Sequence, residues 1–139
     1  MYDIEDRRFQ SRRSATLRDK TVPRVLIVDD DRTTVRLLKT LLELDGYDVS
    51  VAPTAAEVVT LAQEVRPDLF LIDYHLDDLD GVQIVNRIRA LPDFQHTPII
   101  ITSGMNVERE ALAAGASRFL MKPFDPDSLD ALFRTLINA

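Results

Sequence analysis

The chain has 139 residues, of which 45% are hydrophobic and 29% are charged, a composition typical of one globular domain. It has no cysteine and only two histidines, which excludes disulfides, thiol nucleophiles and cysteine-based zinc sites and predicts oxygen ligands for any metal. No apolar run approaches the roughly 18 residues of a membrane span, and the N-terminus lacks an apolar signal segment, so we expect a cytoplasmic protein without a membrane partner.

The net charge of −6 is unevenly distributed along the chain. Residues 1–22 carry six basic and four acidic side chains, which leaves a net charge of −8 on residues 23–139. Because an acidic surface repels phosphate backbones, this body is not expected to bind nucleic acid. The polar, non-periodic residues 1–22 are predicted to form a flexible N-terminal arm, followed by one domain over residues 23–139.

From Pro23 onward, short apolar runs alternate with segments of helical spacing, which indicates an α/β fold. Five strands are predicted, at residues 25–28, 49–52, 69–72, 99–101 and 119–121. The first, third and fourth runs lack the alternation of a one-sided strand, so helices are expected on both faces of a parallel sheet.

The first two predicted helices have clear boundary signals. An apolar stripe follows the first strand and ends at Gly46, a residue that suits a helix C-terminus. Thr54 and Glu57 match a capping box that would begin the second helix, and Pro67 would stop it.

The remaining three helices complete five βα units. The third carries an apolar stripe that includes Leu91 and is expected to end at Pro92, and the fourth covers residues 107–114 and closes at Gly115. The last begins at Asp125, with a proline in its first turn. Five units are too few for an eightfold barrel and favour an open, doubly wound parallel sheet.

Polar side chains follow the predicted strands at the points where they end. Asp29 and Asp30 follow the first strand, Asp73 the third, Thr102 the fourth and Lys122 the fifth. In doubly wound sheets the ligand site lies beyond the carboxyl ends of the strands. Converging carboxylates repel one another and favour a hard cation, and Mg²⁺ combines a few carboxylates with phosphate oxygens. This edge therefore predicts a Mg²⁺ site that handles a phosphoryl group.

No glycine-rich nucleotide loop of the GxxxxGK[ST] or GxGxxG type is present in the sequence. A bound nucleotide is therefore not expected as the phosphoryl donor, whereas a carboxylate can itself accept the group as an acyl phosphate. Asp73 is the best placed carboxylate, and Lys122 and Thr102 would supply an ammonium group and a hydroxyl donor.

Four segments resemble the receiver domain of two-component response regulators. They are VLIVDDD at 25–31, LIDYHLDDLDG at 71–81, IITS at 100–103 and the closing AGA and FLMKPF at 114–116 and 119–124. The resemblance covers about residues 23–139. It implies a flavodoxin-like fold, with a five-stranded parallel sheet of strand order 2-1-3-4-5 and five helices.

The resemblance also implies a phosphorylation site. Asp73 would be the phosphoacceptor, and a histidine kinase or phosphotransfer protein would be the donor. Mg²⁺ would be held by Asp29, Asp30, Asp73 and the main-chain carbonyl of His75, whose side chain is expected to be exposed to solvent.

A conformational switch is implied as well. Thr102 would hydrogen-bond the phosphoryl group, Lys122 would pair with it, and Phe119 would change rotamer and reshape a protein-binding face. The resemblance further implies a cis peptide bond before Pro123.

Three departures from the family pattern stand out. Asp77 and Asp78 replace a usual Pro-Gly and add negative charge beside the site. The stretch from residue 102 to 122 is about two residues shorter than usual, so a homodimer of the family's usual type stays an open alternative. His75 and Gly104 occupy positions that tune dephosphorylation in the family, which leaves the phosphoryl lifetime open.

Two other functions are open at this point. A degenerate receiver would act only as a docking module. A small phosphohydrolase of the haloacid dehalogenase type also forms an aspartyl phosphate, but it needs a second aspartate two residues after the nucleophile, where this chain has His75.

Overall fold

The computed structural model describes residues 22–139, so the predicted arm lies outside the described residues except for Val22. Over this range, five strands alternate with five α-helices. The strands are β1 (Arg24–Val28), β2 (Asp48–Ala52), β3 (Leu69–Asp73), β4 (Ile99–Ser103) and β5 (Arg118–Met121). The helices are α1 (Arg32–Leu44), α2 (Val58–Val65), α3 (Gly81–Arg89), α4 (Glu108–Ala114) and α5 (Leu129–Ile137). Short 3₁₀ turns precede α2, follow α3 and precede α5, at Ala55–Glu57, Pro92–Phe94 and Pro126–Ser128.

The strands form one parallel sheet in the order β2-β1-β3-β4-β5, which confirms the predicted flavodoxin-like arrangement. Successive residues of the central strands point to opposite faces, and each face has its own apolar core. Leu26 and Phe70 belong to one core, whereas Val25 and Leu69 belong to the other. Burial on both faces explains why these strands are continuous apolar runs.

The predicted capping box at Thr54 and Glu57 is wrong. Within residues 22–139, the Thr54 side chain makes no hydrogen bond to the helix backbone, and its hydroxyl instead donates to Glu57 Oε2 at 3.1 Å. A capping box forms instead at the start of α3, where Gln83 N donates to Asp80 Oδ1 at 2.9 Å and Asp80 N donates to Gln83 Oε1 at 3.1 Å. This box fixes the end of the loop that follows β3.

Other predicted boundaries are close to those observed. α4 closes at Gly115, whose φ of 117° suits glycine, and Asp125 caps the 3₁₀ turn before α5 by accepting from Asp127 N. α3 ends at Arg89, so Leu91 lies outside it but still packs against the core. The peptide bond before Pro123 is cis, as the resemblance implies. No helix within residues 22–139 is long and apolar enough to cross a membrane.

Candidate functional site

The predicted site residues meet at the carboxyl edge of the sheet. Asp29 follows β1, Asp73 is the last residue of β3, Thr102 lies in β4 and Lys122 follows β5. Asp73 and Thr102 are directly opposite each other in the register of β3 and β4. Because neighbouring parallel strands end together, residues far apart in sequence are brought to one place.

Three carboxylates form a cluster at this edge. One oxygen from each of Asp29, Asp30 and Asp73 can be chosen so that all three lie within 4.8 Å of one another. Asp29 is 5% exposed and Asp73 is 8% exposed, whereas Asp30 is open to solvent. Within residues 22–139 this is the one group of at least three side chains found with metal-ligand spacing. Asp77 and Asp78 are not part of it, although the sequence suggested that they add charge there.

The carboxylates of this cluster repel one another, and a cation can reduce that repulsion. Burial raises the pKa of Asp29; the hydrogen bond from Asp31 N, at 2.9 Å, lowers it, and the nearby charge of Asp73 raises it again, with a net increase. Lys122 Nζ lies 3.4 Å from Asp73 Oδ1 and 4.0 Å from Asp29 Oδ2, so one ammonium faces two buried carboxylates. The positive charge offsets part of the repulsion.

Replacing Asp29 is therefore expected to stabilise the fold. In the absence of divalent cations at pH 7, Asp29→Asn should raise the free energy of unfolding by about 1 kcal/mol, because burial raises the pKa of this carboxyl and so disfavours its charged form. Urea unfolding measures the change. Asp31→Asn is the control and should not stabilise the fold, since Asp31 is exposed and hydrogen bonds lower the pKa of its carboxyl. A less stable Asp29→Asn protein would contradict this account.

The two predicted switch residues lie on neighbouring strands. Thr102 is 3% exposed, so its hydroxyl is enclosed next to the acidic cluster. Phe119 is half-buried in β5, pairs in register with Ile101 and packs against one of the two cores. Because Thr102 follows Ile101, its side chain and the Phe119 ring lie on opposite faces of the sheet, on neighbouring strands.

A contact between His75 and Ser103 was not predicted from the sequence. The His75 residue is exposed as expected, but its Nε2 lies 3.1 Å from Oγ of the fully buried Ser103. The Ser103 hydroxyl also accepts from Met105 N at 3.0 Å. This contact joins the loop after β3 to the end of β4, beside Thr102.

Asp78 makes a second unpredicted contact. Its two carboxylate oxygens accept hydrogen bonds from Ala55 N and Ala56 N, each at 3.3 Å. Desolvation raises the pKa of Asp78, but the hydrogen bonds from these backbone donors and from Leu79 N together lower it by more. The net pKa therefore lies below the ordinary value. Asp78 therefore connects the loop after β3 to the turn before α2.

Comparison with known proteins defines the class. Residues 25–134 match the response regulator receiver domain family, and the chain belongs to it. Transcriptional regulatory protein PrrA of Mycobacterium leprae is 36% identical over 119 residues, which cover 84% of this chain and 50% of that protein. The chain spans about half the length of the curated relatives it matches first.

Two solved structures have the same fold. The chemotaxis response regulator CheY4 of Vibrio cholerae has a TM-score of 0.78 and 28% identity, covering 84% of this chain and 99% of that one. The receiver domain of sensor histidine kinase PA1611 from Pseudomonas aeruginosa, crystallised with magnesium coordinated in its active-site cleft, has a TM-score of 0.78 and 28% identity. The match covers 85% of this chain and 99% of the PA1611 receiver domain. The chain is thus a receiver domain of the two-component type, and neither alternative function gains support from these relatives.

Proposed function

We propose that this receiver domain accepts a phosphoryl group on Asp73 from a histidine kinase or phosphotransfer protein, with Mg²⁺ as cofactor. The observation that carries the proposal is the position of the Asp73 carboxylate, which ends a buried strand beside two other carboxylates and the Lys122 ammonium. A lone surface aspartate would have neither the charge partners nor the burial. We assign the module a signalling role, with no enzymatic turnover beyond its own phosphorylation and dephosphorylation.

The residues present fit Mg²⁺. Asp29, Asp30 and Asp73 offer hard oxygen donors, and two of them are buried, so their mutual repulsion favours a divalent cation. The main-chain carbonyl of His75 is the proposed fourth protein ligand. The magnesium in the cleft of the PA1611 receiver supports the assignment.

The chemistry proposed at Asp73 is a phosphoryl transfer. An oxygen of the Asp73 carboxylate bonds to phosphorus while the bond from phosphorus to the donor breaks, and the donor leaves with the electron pair. The Lys122 ammonium, 3.4 Å from Asp73 Oδ1, stabilises the negative charge on the transferred group. Bound Mg²⁺ supplies further positive charge against the carboxylates and phosphoryl oxygens.

The proposed output is a change in protein binding. The buried Thr102 hydroxyl would hydrogen-bond a phosphoryl oxygen, and its movement would let the half-buried Phe119 turn inward. The surface formed by β4, α4 and β5 would then change shape. Its downstream partner would be a protein or effector domain, and the acidic charge of residues 23–139 argues against direct nucleic-acid binding.

Intact mass spectrometry tests the proposal. The protein incubated with Mg²⁺ and acetyl phosphate should gain the mass of one phosphoryl group, and Asp73→Asn should gain none. Asp77→Asn is the matched control, since Asp77 lies in the same loop but outside the cluster, and it should still gain the group. When Mg²⁺ is left out of the reaction, the wild-type protein should gain no phosphoryl group. An unmodified wild-type protein contradicts the proposal and favours a docking module, whereas modification that survives Asp73→Asn shows that another residue is the acceptor.

A further inference from the structure

The loop between β3 and α3 is fixed at its base. Gly81 N donates to the Tyr74 carbonyl at 2.8 Å, and His75 and Asp80 form an isolated antiparallel bridge. The capping box of Asp80 holds the far end of the loop against α3. These contacts close the loop into a hairpin-like turn, but they leave its tip, at residues 76–79, to be positioned by other interactions.

Asp78 attaches this tip to a distant part of the chain. Its carboxylate accepts from Ala55 N and Ala56 N, 23 and 22 residues away, and so takes the first two backbone donors of the 3₁₀ turn. The third donor, Glu57 N, bonds to the Thr54 carbonyl at 3.3 Å. Asp78 thus does the work of an N-cap from a different loop.

We propose that Asp78 is a positioning residue for the Mg²⁺ site. It lies three residues after His75, whose main-chain carbonyl is the proposed metal ligand. The bridge to Asp80 holds His75 at the base of the loop, and Asp78 attaches the tip of the same loop to the turn before α2, so the segment that carries the ligand is held at both ends. Asp77 and Asp78 stand where the family usually has Pro-Gly, so in this chain the hydrogen bonds replace the restriction that proline would give. The inference rests on the proposed function, because it assigns Asp78 a role in the same metal site.

Asp77 provides a control of equal charge. It is exposed, and within the described part of the chain, residues 22–139, it makes no hydrogen bond or ion pair. Asp77→Asn and Asp78→Asn each remove one negative charge from the same loop. Only Asp78→Asn removes a carboxylate that binds the backbone of another segment, so the difference between the two variants isolates the contact.

The test is a Mg²⁺ titration of the unphosphorylated protein, followed by backbone amide NMR shifts. Relative to wild type, Asp78→Asn should raise the Mg²⁺ concentration at half-saturation several-fold and Asp78→Ala by about tenfold, the loss typical of a residue that orients a metal ligand. Asp77→Asn should change it by no more than about twofold, because an exposed charge is well screened. Amide hydrogen exchange at Ala55 and Ala56 should accelerate in the Asp78 variants alone.

A second substitution separates loop positioning from helix stability. Thr54 is extended, with φ −135° and ψ 155°, so Thr54→Asp can cap the turn locally. The double variant Thr54→Asp/Asp78→Asn should regain the resistance to urea that Asp78→Asn loses, while its half-saturation concentration for Mg²⁺ stays raised. Recovery of both would overturn the inference, since Asp78 would then act only by stabilising the turn. Equal half-saturation in Asp77→Asn and Asp78→Asn would overturn it too.

Failure of this inference is distinguishable from failure of the proposed function. If acetyl phosphate modifies Asp73 and the two loop variants bind Mg²⁺ equally, the positioning role alone is wrong. If Asp78→Asn weakens Mg²⁺ binding while wild type takes up no phosphoryl group, the positioning role holds and phosphoacceptance is wrong. A wild-type protein that does not respond to Mg²⁺ overturns both.

Discussion

Arg89→Met is expected to lower the free energy of unfolding by about 3 kcal/mol, because several main-chain carbonyls lose the charged donor that they bind. Arg89 Nε and Nη2 donate to the Gly115 carbonyl at 3.0 and 2.9 Å, and Nη1 donates to the carbonyls of Phe94 and Thr97 at 2.7 and 2.6 Å. One guanidinium therefore joins α3 to the turns before β4 and β5. Methionine has a similar length but leaves three carbonyls without their donor. Burial already lowers the pKa of Arg89, so these bonds compensate for desolvation of the charge.

The measurement is the urea midpoint of unfolding at pH 7. Arg87→Met is the matched control, because Arg87 is an exposed residue of the same helix, and its effect should stay within about 0.5 kcal/mol. Arg89→Lys should recover less than half of the loss, since an ammonium cannot reproduce the fork of a guanidinium. Equal midpoints for Arg87→Met and Arg89→Met would show that the carbonyls find other donors.

The strands were predictable because their signal is local. Burial on both faces produces apolar runs that can be counted in the sequence, and all five runs are strands in the structure. The predicted strands are too short because ladder hydrogen bonds continue into polar residues. Asp73 and Ser103 end β3 and β4, and Arg24 and Asp48 begin β1 and β2. An apolar pattern contains no signal for those positions.

The helix caps show why a local pattern can mislead. Thr54 and Glu57 match a capping box as well as Asp80 and Gln83 do, yet only the second pair forms one. The donor that the first box needs, Glu57 N, bonds to the Thr54 main-chain carbonyl, and a competitor from another loop, Asp78, takes the two donors before it. A sequence window of a few residues does not contain that competitor.

The site also has a part that the sequence predicts and a part that depends on tertiary structure. The positions of Asp29, Asp73, Thr102 and Lys122 follow from the ends of parallel strands, so the sequence was sufficient to bring them to one edge. The contact of His75 with Ser103 joins residues 28 apart through side-chain orientations. Such orientations depend on the packed structure, and the only signal in the sequence was the presence of a polar residue next to Thr102.

Lys122→Met is expected to have opposite effects on metal binding and on phosphorylation. With acetyl phosphate and saturating Mg²⁺, the rate of phosphoryl uptake should fall about 100-fold, the loss typical of removing one group that stabilises transferred charge. The unphosphorylated protein, however, should bind Mg²⁺ about threefold more tightly. The Lys122 ammonium lies 3.4 Å from Asp73 and 4.0 Å from Asp29, so it neutralises the same carboxylates that the cation requires and repels the cation itself.

The two measurements are time-resolved intact mass spectrometry for the rate and an amide NMR titration for Mg²⁺. Lys39→Met is the control, since Lys39 pairs with Glu43 on the surface of α1, and both quantities should stay within about twofold of wild type. Loss of a positive charge elsewhere on the surface should change neither the rate of phosphoryl uptake nor the affinity for Mg²⁺, whereas loss of the Lys122 ammonium should lower the rate and raise the affinity. Weaker Mg²⁺ binding in Lys122→Met would mean that the ammonium organises the carboxylates for the metal, and an unchanged rate would exclude its proposed part in the transfer.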